Sequence, residues 1–319
     1  MSAEQIATTA GAGGRSRVGR AGKQAVQRNL WGYLFVAPAI LGLIFWTIGP
    51  MVVSLGLSFT QWDMLSAPQW TGFSNFSRML SGADPLFWQT VRVTAFYTVL
   101  AVPLIAIVAS LGLAILLNRP MRGIGVIRTI FYLPNVVPLV ANAVLWLFIY
   151  NPQWGLLNEV VGLVGIPPQQ WIFDENQVIP GLVLMAMWTS SGAAMIVYLA
   201  GLQGIPQHLY EAVAIDGGGP WARFRHVTLP LITPLILFNV VLTFIGSVQT
   251  FIQPYIMTNG GPSNASLFYM LYVYRTAFQD QDMGYACALA WFLFVCIAVV
   301  SVVVFRTSRW WVYYEGEGR

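Results

Sequence analysis

The polar side chains best suited to chemistry in this chain lie in one short segment between two long apolar runs. The segment begins Glu211-Ala-Val-Ala-Ile-Asp-Gly217 and, after nine further residues, ends Val227-Thr-Leu-Pro230. It carries carboxylates in its first part and two guanidinium groups, Arg223 and Arg225, in its middle. Acidic residues elsewhere are scattered singly, so converging carboxylates for acid–base catalysis are not indicated. The segment suits binding to another protein, and we predict no catalytic residue.

The local sequence predicts a helix, a turn and a second helix that lie across a membrane surface. Pro206 suits the first turn of a helix, because its missing N–H is not needed there. The glycines 217–219 supply a turn with free backbone angles. Pro220 then begins a short helix in which Trp221 and Phe224 share a face. The second helix leads into the next apolar run, and the two helices expose an apolar patch with charged residues at its edge.

Nucleotide and metal binding are not indicated by the polar residues. The three glycines lack the G-x-x-x-x-G-K-[ST] pattern of a phosphate-binding loop, so we expect this chain not to bind ATP. His208 and His226 have no cysteine or second histidine close by, which argues against a metal site. Cys287 and Cys296 are about 13 Å apart along a helix, beyond the reach of a disulfide.

Composition identifies the elements that must hold the polar segment. The chain has 319 residues, of which 57% are hydrophobic and 9% are charged, whereas a soluble domain has about 25% charged residues. A membrane-spanning helix needs roughly 20 apolar residues. Six runs qualify, and none contains Asp, Glu, Lys or Arg: 34–59, 93–117, 129–150, 178–202, 231–257 and 284–305. We predict an all-α, polytopic membrane protein with six transmembrane helices.

The basic residues predict the orientation of these spans. Thirteen lie at the termini and in the even-numbered connections: Arg15, Arg17, Arg20, Lys23, Arg28, Arg119, Arg122, Arg128, Arg223, Arg225, Arg306, Arg309 and Arg319. The opposite side has only Arg78, Arg92 and Arg275. Because basic residues accumulate on the cytoplasmic side, we expect both termini and the Glu211 segment to be cytoplasmic. The basic N-terminal arm is typical of a topogenic segment near anionic lipid, and nucleic-acid binding is not expected.

The charge-free spans also bear on the source of energy. Proton- or ion-coupled carriers keep ionisable residues within their spans, so a carrier with charge-free spans must be driven from outside, and the alternative is a passive pore. A passive channel gives no reason for the Glu211 segment. A membrane-embedded acyl or glycosyl transferase is a third class, but it would need carboxylates or histidines converging at the membrane face.

The polar segment resembles the EAA loop of the membrane subunits of binding-protein-dependent ABC importers. That pattern is E-A-A, three residues, G, nine residues, I, any residue, L-P; here Val213 replaces the second Ala and Val227 the Ile. Further similarity to the carbohydrate-uptake branch, with its maltose-type and glycerol-3-phosphate-type members, lies in 200–206, 258–262 and 284–286. The resemblance implies a type I ABC importer permease fold. It also implies that one set of residues couples to the ATPase: Glu211, Ala212, Asp216, Gly217, Leu229 and Pro230.

The resemblance further implies the organisation and partners of the chain. We expect a disordered basic cytoplasmic tail over 1–29, a six-helix permease domain over 30–310 with the loop at 206–230, and a cytoplasmic C-terminal tail over 311–319. The partners would be a second homologous permease, two ATPase subunits that bind ATP and Mg²⁺, and an extracytoplasmic solute-binding protein. The chain itself would hold no cofactor or metal. Its place would be the cytoplasmic (inner) membrane of a bacterium or archaeon.

A stripe of hydroxyls in the fifth span predicts the solute path. Thr243, Ser247 and Thr250 follow i, i+4, i+7 and so share a helix face, although such residues also serve packing between membrane helices. The resemblance places sugar-contacting positions on these three residues and on Gly246, with Gln249 and Gln253 beside them. From the preceding span it adds Trp188, Ser190 and the region of Ala193. The implied solute is a sugar or oligosaccharide, with glycerol-3-phosphate or another polyol derivative as the alternative.

Overall fold

The computed structural model describes residues 32–313. The expected N-terminal tail over 1–29 and residues 314–319 of the expected C-terminal tail lie outside this range. The described residues divide into two compact units, 32–57 and 58–313, which are described separately. Within the first unit, one helix covers Gly32–Leu57 and is long and apolar enough to span a membrane.

The described residues form twelve helices, one short 3-10 turn at Trp171–Phe173 and one small pair of strands. The helices are, in chain order, α1 Gly32–Leu57, α2 Ser74–Leu80, α3 Pro85–Leu117, α4 Ile124–Val136, α5 Leu139–Ile149, α6 Leu156–Gly162, α7 Val178–Gly204, α8 Gln207–Ile215, α9 220–248, α10 Ile252–Met257, α11 Tyr269–Phe278 and α12 Met283–Ser308. The strands β1 Thr60–Gln61 and β2 Gln69–Trp70 pair antiparallel. The all-helical prediction is confirmed, with this short hairpin as an addition.

Prolines account for the irregular turns within the long helices. A proline removes one backbone donor and its ring crowds the preceding turn, which favours a local widening of the helix. Three π-helical turns lie next to a proline: Ile44–Ile48 before Pro50, Val102–Ala109 around Pro103, and Phe224–Thr228 before Pro230. The helices continue through these turns, so each remains a single element.

The third predicted span is two helices rather than one. The axes of α4 and α5 differ by 101° across a break of two residues. Pro134 lies inside α4, and Pro138 stands immediately before α5. The side-chain amide of Asn142 donates to the carbonyls of Pro134 and Val137, at 3.2 and 3.1 Å. Because this amide satisfies carbonyls at the break, the chain can bend inside a membrane without leaving them unpaired.

The bent pair nevertheless runs from one end of the second unit to the other. At one end, Ile124 packs against an apolar cluster that contains Leu117 of α3 and Leu202 of α7. At the other end, the hydroxyl of Tyr150 donates to the carbonyl of Gly181 near the start of α7, at 2.6 Å. The two contacts lie about 30 Å apart along α7. Counted as one span, the bent pair and the five long helices correspond to the six apolar runs.

The second span begins earlier than its apolar run. We predicted 93–117, but α3 starts at Pro85, so Arg92 lies within the helix on an exposed face rather than in a loop. Asp84 caps the helix by accepting hydrogen bonds from the N–H groups of Leu86 and Phe87. With 33 residues, α3 is longer than the hydrocarbon layer requires. Its first turns therefore extend beyond the apolar run.

Asp84 also ties together the end of the bundle opposite the 206–230 loop. It is 5% exposed, and its second carboxylate oxygen accepts from the hydroxyls of Tyr272, at 2.6 Å, and Tyr285, at 2.5 Å. Burial and the hydrogen bond to Asp84 raise the pKa of Tyr272, so this hydroxyl stays a donor. Arg78 lies over the ring of Tyr285 and pairs with Asp282 at 2.7 Å. The starts of α3 and α12 are thus joined through α2 and α11.

Candidate functional sites

The first site is the loop at 206–230, whose turn is closed by glycines. Helix α8 ends in the hydrogen-bond pattern that often closes helices: the N–H of Gly217 donates to the carbonyl of Ala214, at 3.1 Å, and that of Gly218 to Val213, at 2.8 Å. Gly217 has φ +78°, a conformation that side chains disfavour. A Cβ at Gly218 would lie 2.5 Å from the side chain of Val213. The predicted helix and glycine turn are present in the structure.

The second helix of the loop begins at Pro220, as the sequence predicts, and leads into the fifth span. The backbone continues from Arg223 through the π-helical turn into that span without a break. The wider turn accommodates Pro230 without a break. The loop's second half and the fifth span are therefore one helix, α9.

A hydrogen bond that the sequence did not predict joins the two halves of the loop. The hydroxyls of Tyr210 in α8 and Thr228 in α9 lie 3.0 Å apart. Further along α9, Thr233 accepts from the N–H of Tyr313 at 2.9 Å, and Val312 is buried. Residues 312 and 313 of the expected C-terminal tail thus pack against the base of α9. Polar side chains at the ends of an apolar run were the only signal in the sequence for these contacts.

The outer face of the loop combines apolar and charged side chains. Ile215 is 85% exposed and Trp221 is 70% exposed, and the rings of Trp221 and Phe224 lie 5.4 Å apart as their spacing predicts. Glu211 and Asp216 are exposed, and neither makes an ion pair with another residue of 32–313. Large exposed apolar groups beside free carboxylates are typical of a protein-binding surface.

The structure places the six predicted coupling residues in two groups. Glu211, Ala212, Asp216 and Gly217 are exposed at α8 and its turn. Leu229 and Pro230 are half-buried in α9, just after the π-helical turn. His226 contacts the carbonyl of Ala222 within its own helix, and the part of the chain that the structure describes contains no metal-binding cluster.

The second site is a cavity of about 360 Å³ between the long helices. It brings together most of the residues predicted for a solute path: Ser190, Ala193, Thr243, Gly246, Ser247, Thr250 and Gln253. Ser247 and Thr250 are buried, at 5% and 8% exposure. The Thr250 hydroxyl donates to the carbonyl of Gly246 at 3.3 Å and is also hydrogen-bonded to the side chain of Tyr97, another residue of the lining. The hydroxyl stripe of the fifth span therefore faces a cavity within the second unit.

Two of the predicted residues lie elsewhere. Trp188 lines a different cavity, of about 510 Å³, and its ring lies 5.7 Å from that of Trp146. On α7 it is two residues from Ser190, so the two side chains point in different directions. Gln249 is exposed at the end of α9 and is not part of the cavity lining.

The structure adds lining residues that the sequence pattern did not single out. Tyr97 of α3, Asn135 and Leu139 at the bend, and Asn239 of α9 all line the cavity. The Asn239 side-chain amide donates to the carbonyl of Leu235 at 3.0 Å, and its oxygen can accept a further hydrogen bond. The signal was present, because an amide within an otherwise apolar span marks a polar environment. A criterion based on charged residues alone passes over such amides.

The long helices, the polar loop at 206–230 and the 360 Å³ cavity, called the central cavity below, define a membrane transport permease. Residues 101–311 match the family described as binding-protein-dependent transport system inner membrane component, and the chain belongs to this family. It is 38% identical to the probable ABC transporter permease protein YesP of Bacillus subtilis, covering 91% of this chain and 94% of that protein. It is 35% identical to the lactose transport system permease protein LacF of Rhizobium radiobacter, covering 87% and 94%.

A solved structure supports the same fold. The chain is similar to a component of a bacterial alginate ABC transporter in complex with an alginate pentasaccharide-bound periplasmic protein, with a TM-score of 0.76 and 22% identity. The match covers 90% of this chain and 96% of that one. The predicted fold of an ABC importer permease and the predicted resemblance to this family are confirmed. The family is one of multi-pass membrane transport subunits, so the chain is not an enzyme.

Proposed function

We propose that this chain forms half of the translocation path of an ABC importer for a sugar or oligosaccharide. It would couple to separate ATPase subunits through the loop at 206–230. The observation that carries the proposal is the cavity in which Ser190, Thr243, Ser247 and Thr250 meet Asn135 and Asn239. The relation to a lactose permease and to an alginate transporter supports a carbohydrate as the solute.

The chemistry of the lining favours a neutral solute over the glycerol-3-phosphate alternative. The described lining residues provide hydroxyl, amide and aliphatic groups. Hydroxyls and amides can both donate to and accept from the hydroxyls of a carbohydrate. A phosphate monoester pairs best with guanidinium or ammonium groups. Neutral hydrogen bonds contribute about 1 kcal/mol each, which lets a solute bind and then leave.

Coupling to the ATPase is proposed from the exposed face of the loop. Ile215 and Trp221 offer apolar area, and Glu211 and Asp216 offer carboxylates that are unpaired within 32–313. The helix that carries Trp221 continues to Ser247 at the cavity. A movement imposed on the loop would therefore reach the cavity wall through one helix. The partners would be two ATPase subunits that hold ATP and Mg²⁺, a second permease and an extracytoplasmic binding protein.

The basic residues support the proposed orientation, with both termini and the loop on the cytoplasmic side of the inner membrane of a bacterium or archaeon. Arg223 and Arg225 lie in the loop, and Arg119 and Arg122 lie between α3 and α4, at the same end of the second unit. Arg78 and Arg275 lie at the opposite end. The asymmetry agrees with the preference of basic residues for the cytoplasmic side.

The test is uptake by the complete complex in proteoliposomes. This chain, its second permease, the ATPase and the binding protein should import a labelled oligosaccharide when ATP is present inside the vesicles. Excess glycerol-3-phosphate should not compete. Import of glycerol-3-phosphate in place of the sugar would overturn the substrate class, and ATP-independent import of either solute would overturn the mechanism.

A further inference from the structure

Helix α6 presents an aliphatic face that nothing in the central cavity or the 206–230 loop explains. The helix lies in the connection between α5 and α7, at the end of the second unit opposite that loop. Four side chains form this aliphatic stripe: Leu156, Val160, Leu163 and Val164, with exposures of 58%, 51%, 87% and 73%. Leu156 and Val160 lie in α6, and Leu163 and Val164 lie in the turn that follows its end, where the N–H of Leu163 still donates to the carbonyl of Glu159 at 3.3 Å. Because this turn continues the helical hydrogen-bond pattern, the spacing of i, i+4, i+7 and i+8 places the four side chains on one side. A contiguous exposed aliphatic surface of this kind marks contact with a membrane or a partner.

Two residues between Leu156 and Val160 fix α6 to the bundle, so the exposure of the stripe is not the result of a loose loop. Leu157 packs against the main apolar cluster. The side chain of Asn158 makes hydrogen bonds to Pro152, Gln169 and Trp171, between 2.8 and 3.1 Å. These bonds hold the connection on both sides of α6 in one arrangement.

A close backbone approach sets the position of α6 relative to the spanning helix before it. A Cβ at Gly155 would lie 2.4 Å from the carbonyl oxygen of Asn151 and 2.5 Å from that of Ile149. Only glycine allows this packing, and it places the start of α6 directly against the end of α5. The direction of the stripe is therefore determined by the end of a membrane-spanning segment.

The apolar surface of α5 continues into the stripe. Val140, Val144 and Phe148 follow i, i+4, i+8 and are all exposed, at 54%, 42% and 58%. The ring of Phe148 lies 5.7 Å from that of Trp154, which is itself 57% exposed and precedes Leu156 by two residues. Aromatic residues such as Trp154 are enriched where a span meets the membrane–water interface.

We propose that α6 lies in the plane of the membrane, with its aliphatic stripe inserted at the boundary between headgroups and acyl chains. An amphipathic helix in this position buries an apolar face and keeps its polar face outside the hydrocarbon. Glu159 lies at the edge of the stripe and is exposed, where it can reach headgroup water. The occupant of the stripe is thus the lipid of the leaflet opposite the 206–230 loop.

The chemistry of the stripe favours lipid over a docking protein. Energetically important positions in protein interfaces are enriched in Trp, Tyr and Arg, whereas Leu and Val are under-represented. The stripe contains only Leu and Val. Acyl chains offer no hydrogen-bonding groups, so a purely aliphatic surface matches them.

The experiment uses spin labels on the complete transporter in lipid nanodiscs. The native Cys287 and Cys296 are first changed to alanine, and single cysteines are then introduced as Leu163→Cys or, for a matched control, Gly162→Cys. Gly162 is exposed, lies on the other side of the same turn, and has no atom within 4 Å of an added Cβ. Electron paramagnetic resonance then measures collisions of each label with oxygen, which concentrates in lipid, and with a water-soluble nickel chelate.

The label at position 163 should collide several-fold more with oxygen relative to nickel than the label at position 162. Addition of the binding protein should leave this ratio unchanged. Equal, water-like accessibility at both positions would overturn the proposal. Protection of position 163 that appears only with the binding protein would assign the stripe to a protein partner.

Discussion

The hydroxyl of Tyr210 lies 3.0 Å from the hydroxyl of Thr228, and this contact joins the two halves of the loop at 206–230. Tyr210 precedes Glu211 in α8, and Thr228 ends the π-helical turn of α9. The contact therefore connects the proposed ATPase-binding helix to the base of the helix that lines the central cavity.

Changing Tyr210→Phe should uncouple ATP hydrolysis from uptake in part. One neutral hydrogen bond contributes about 1 kcal/mol, so we expect a roughly five-fold fall in solute imported per ATP hydrolysed. The measurement is parallel uptake and phosphate release in proteoliposomes. Tyr33→Phe, at an exposed position of α1, serves as the control. An unchanged ratio for Tyr210→Phe would show that the contact has no part in coupling.

The turn should be sensitive to one of its exposed glycines and tolerant at another. Gly217 has φ +78°, whereas Gly219 has φ −75°, and neither has an atom within 4 Å of an added Cβ. Gly217→Ala should therefore cost roughly 1–2 kcal/mol of backbone strain and reduce uptake, while Gly219→Ala should be near normal. Gly217→Asn should restore part of the activity, because Asn tolerates this conformation. Equal uptake by the two alanine variants would contradict the assigned role of the turn.

A bulky side chain in the central cavity should block uptake. Ser247 is buried in the lining, so Ser247→Trp should abolish import while basal ATP hydrolysis and assembly persist. Phe238→Trp is the matched control, because Phe238 is exposed on the same helix and is not a lining residue. Loss of assembly in Ser247→Trp, detected by co-purification of the second permease, would make the hydroxyl stripe a packing surface instead.

The orientation can be tested at two glycines that have room for a side chain. In a background with Cys287→Ala and Cys296→Ala, Gly219→Cys should resist a membrane-impermeant maleimide in intact cells, because the loop is proposed to be cytoplasmic. Gly162→Cys should react from outside. Both positions are exposed and have no atom within 4 Å of an added Cβ. The reverse labelling pattern would overturn the orientation.

Asp84→Asn should destabilise the end of the bundle opposite the loop. The Asp84 carboxylate accepts from two backbone N–H groups and two tyrosine hydroxyls, and hydrogen bonds to charged groups contribute about 1.5–3 kcal/mol. We expect a clear fall in the Tm of the purified complex in detergent. Asp282→Asn should have a smaller effect, since its pair with Arg78 is partly exposed and such pairs contribute about 0–1 kcal/mol. An equal Tm for wild type and Asp84→Asn would contradict this role.

The spans could be predicted because hydrocarbon imposes a length and a composition that are visible in the sequence. The start of the second span could not be predicted in this way, because a search for charge-free runs stops at Arg92. The sequence Asp84-Pro85 is nevertheless a signal for the start of a helix. The bend of the third span was similarly hidden. Pro134 and Pro138 suggest a break in the helix. The bend also depends on the Asn142 side-chain amide, which donates hydrogen bonds to two carbonyls, and the sequence does not show these contacts.

The cavity lining was predictable where helical spacing was enough and not where direction mattered. Thr243, Ser247 and Thr250 share a face by periodicity alone, and the structure places them together. Trp188 and Ser190 are close in sequence but diverge in direction, and only the packing of α7 against Trp146 shows which way Trp188 points. Asn135 enters the lining because the chain bends beside it.

The continuity of α9 has a consequence for how such a transporter can change over evolutionary time. The cavity-lining positions 243, 246 and 247 and the loop positions 221–225 occupy one helix, but they are different residues at its two ends. They are separated by about 25 Å of helix. Substitutions at one end can therefore alter the accepted solute while the other end keeps its protein contacts. Solute specificity and the contacts of the loop thus depend on one helix but can change independently.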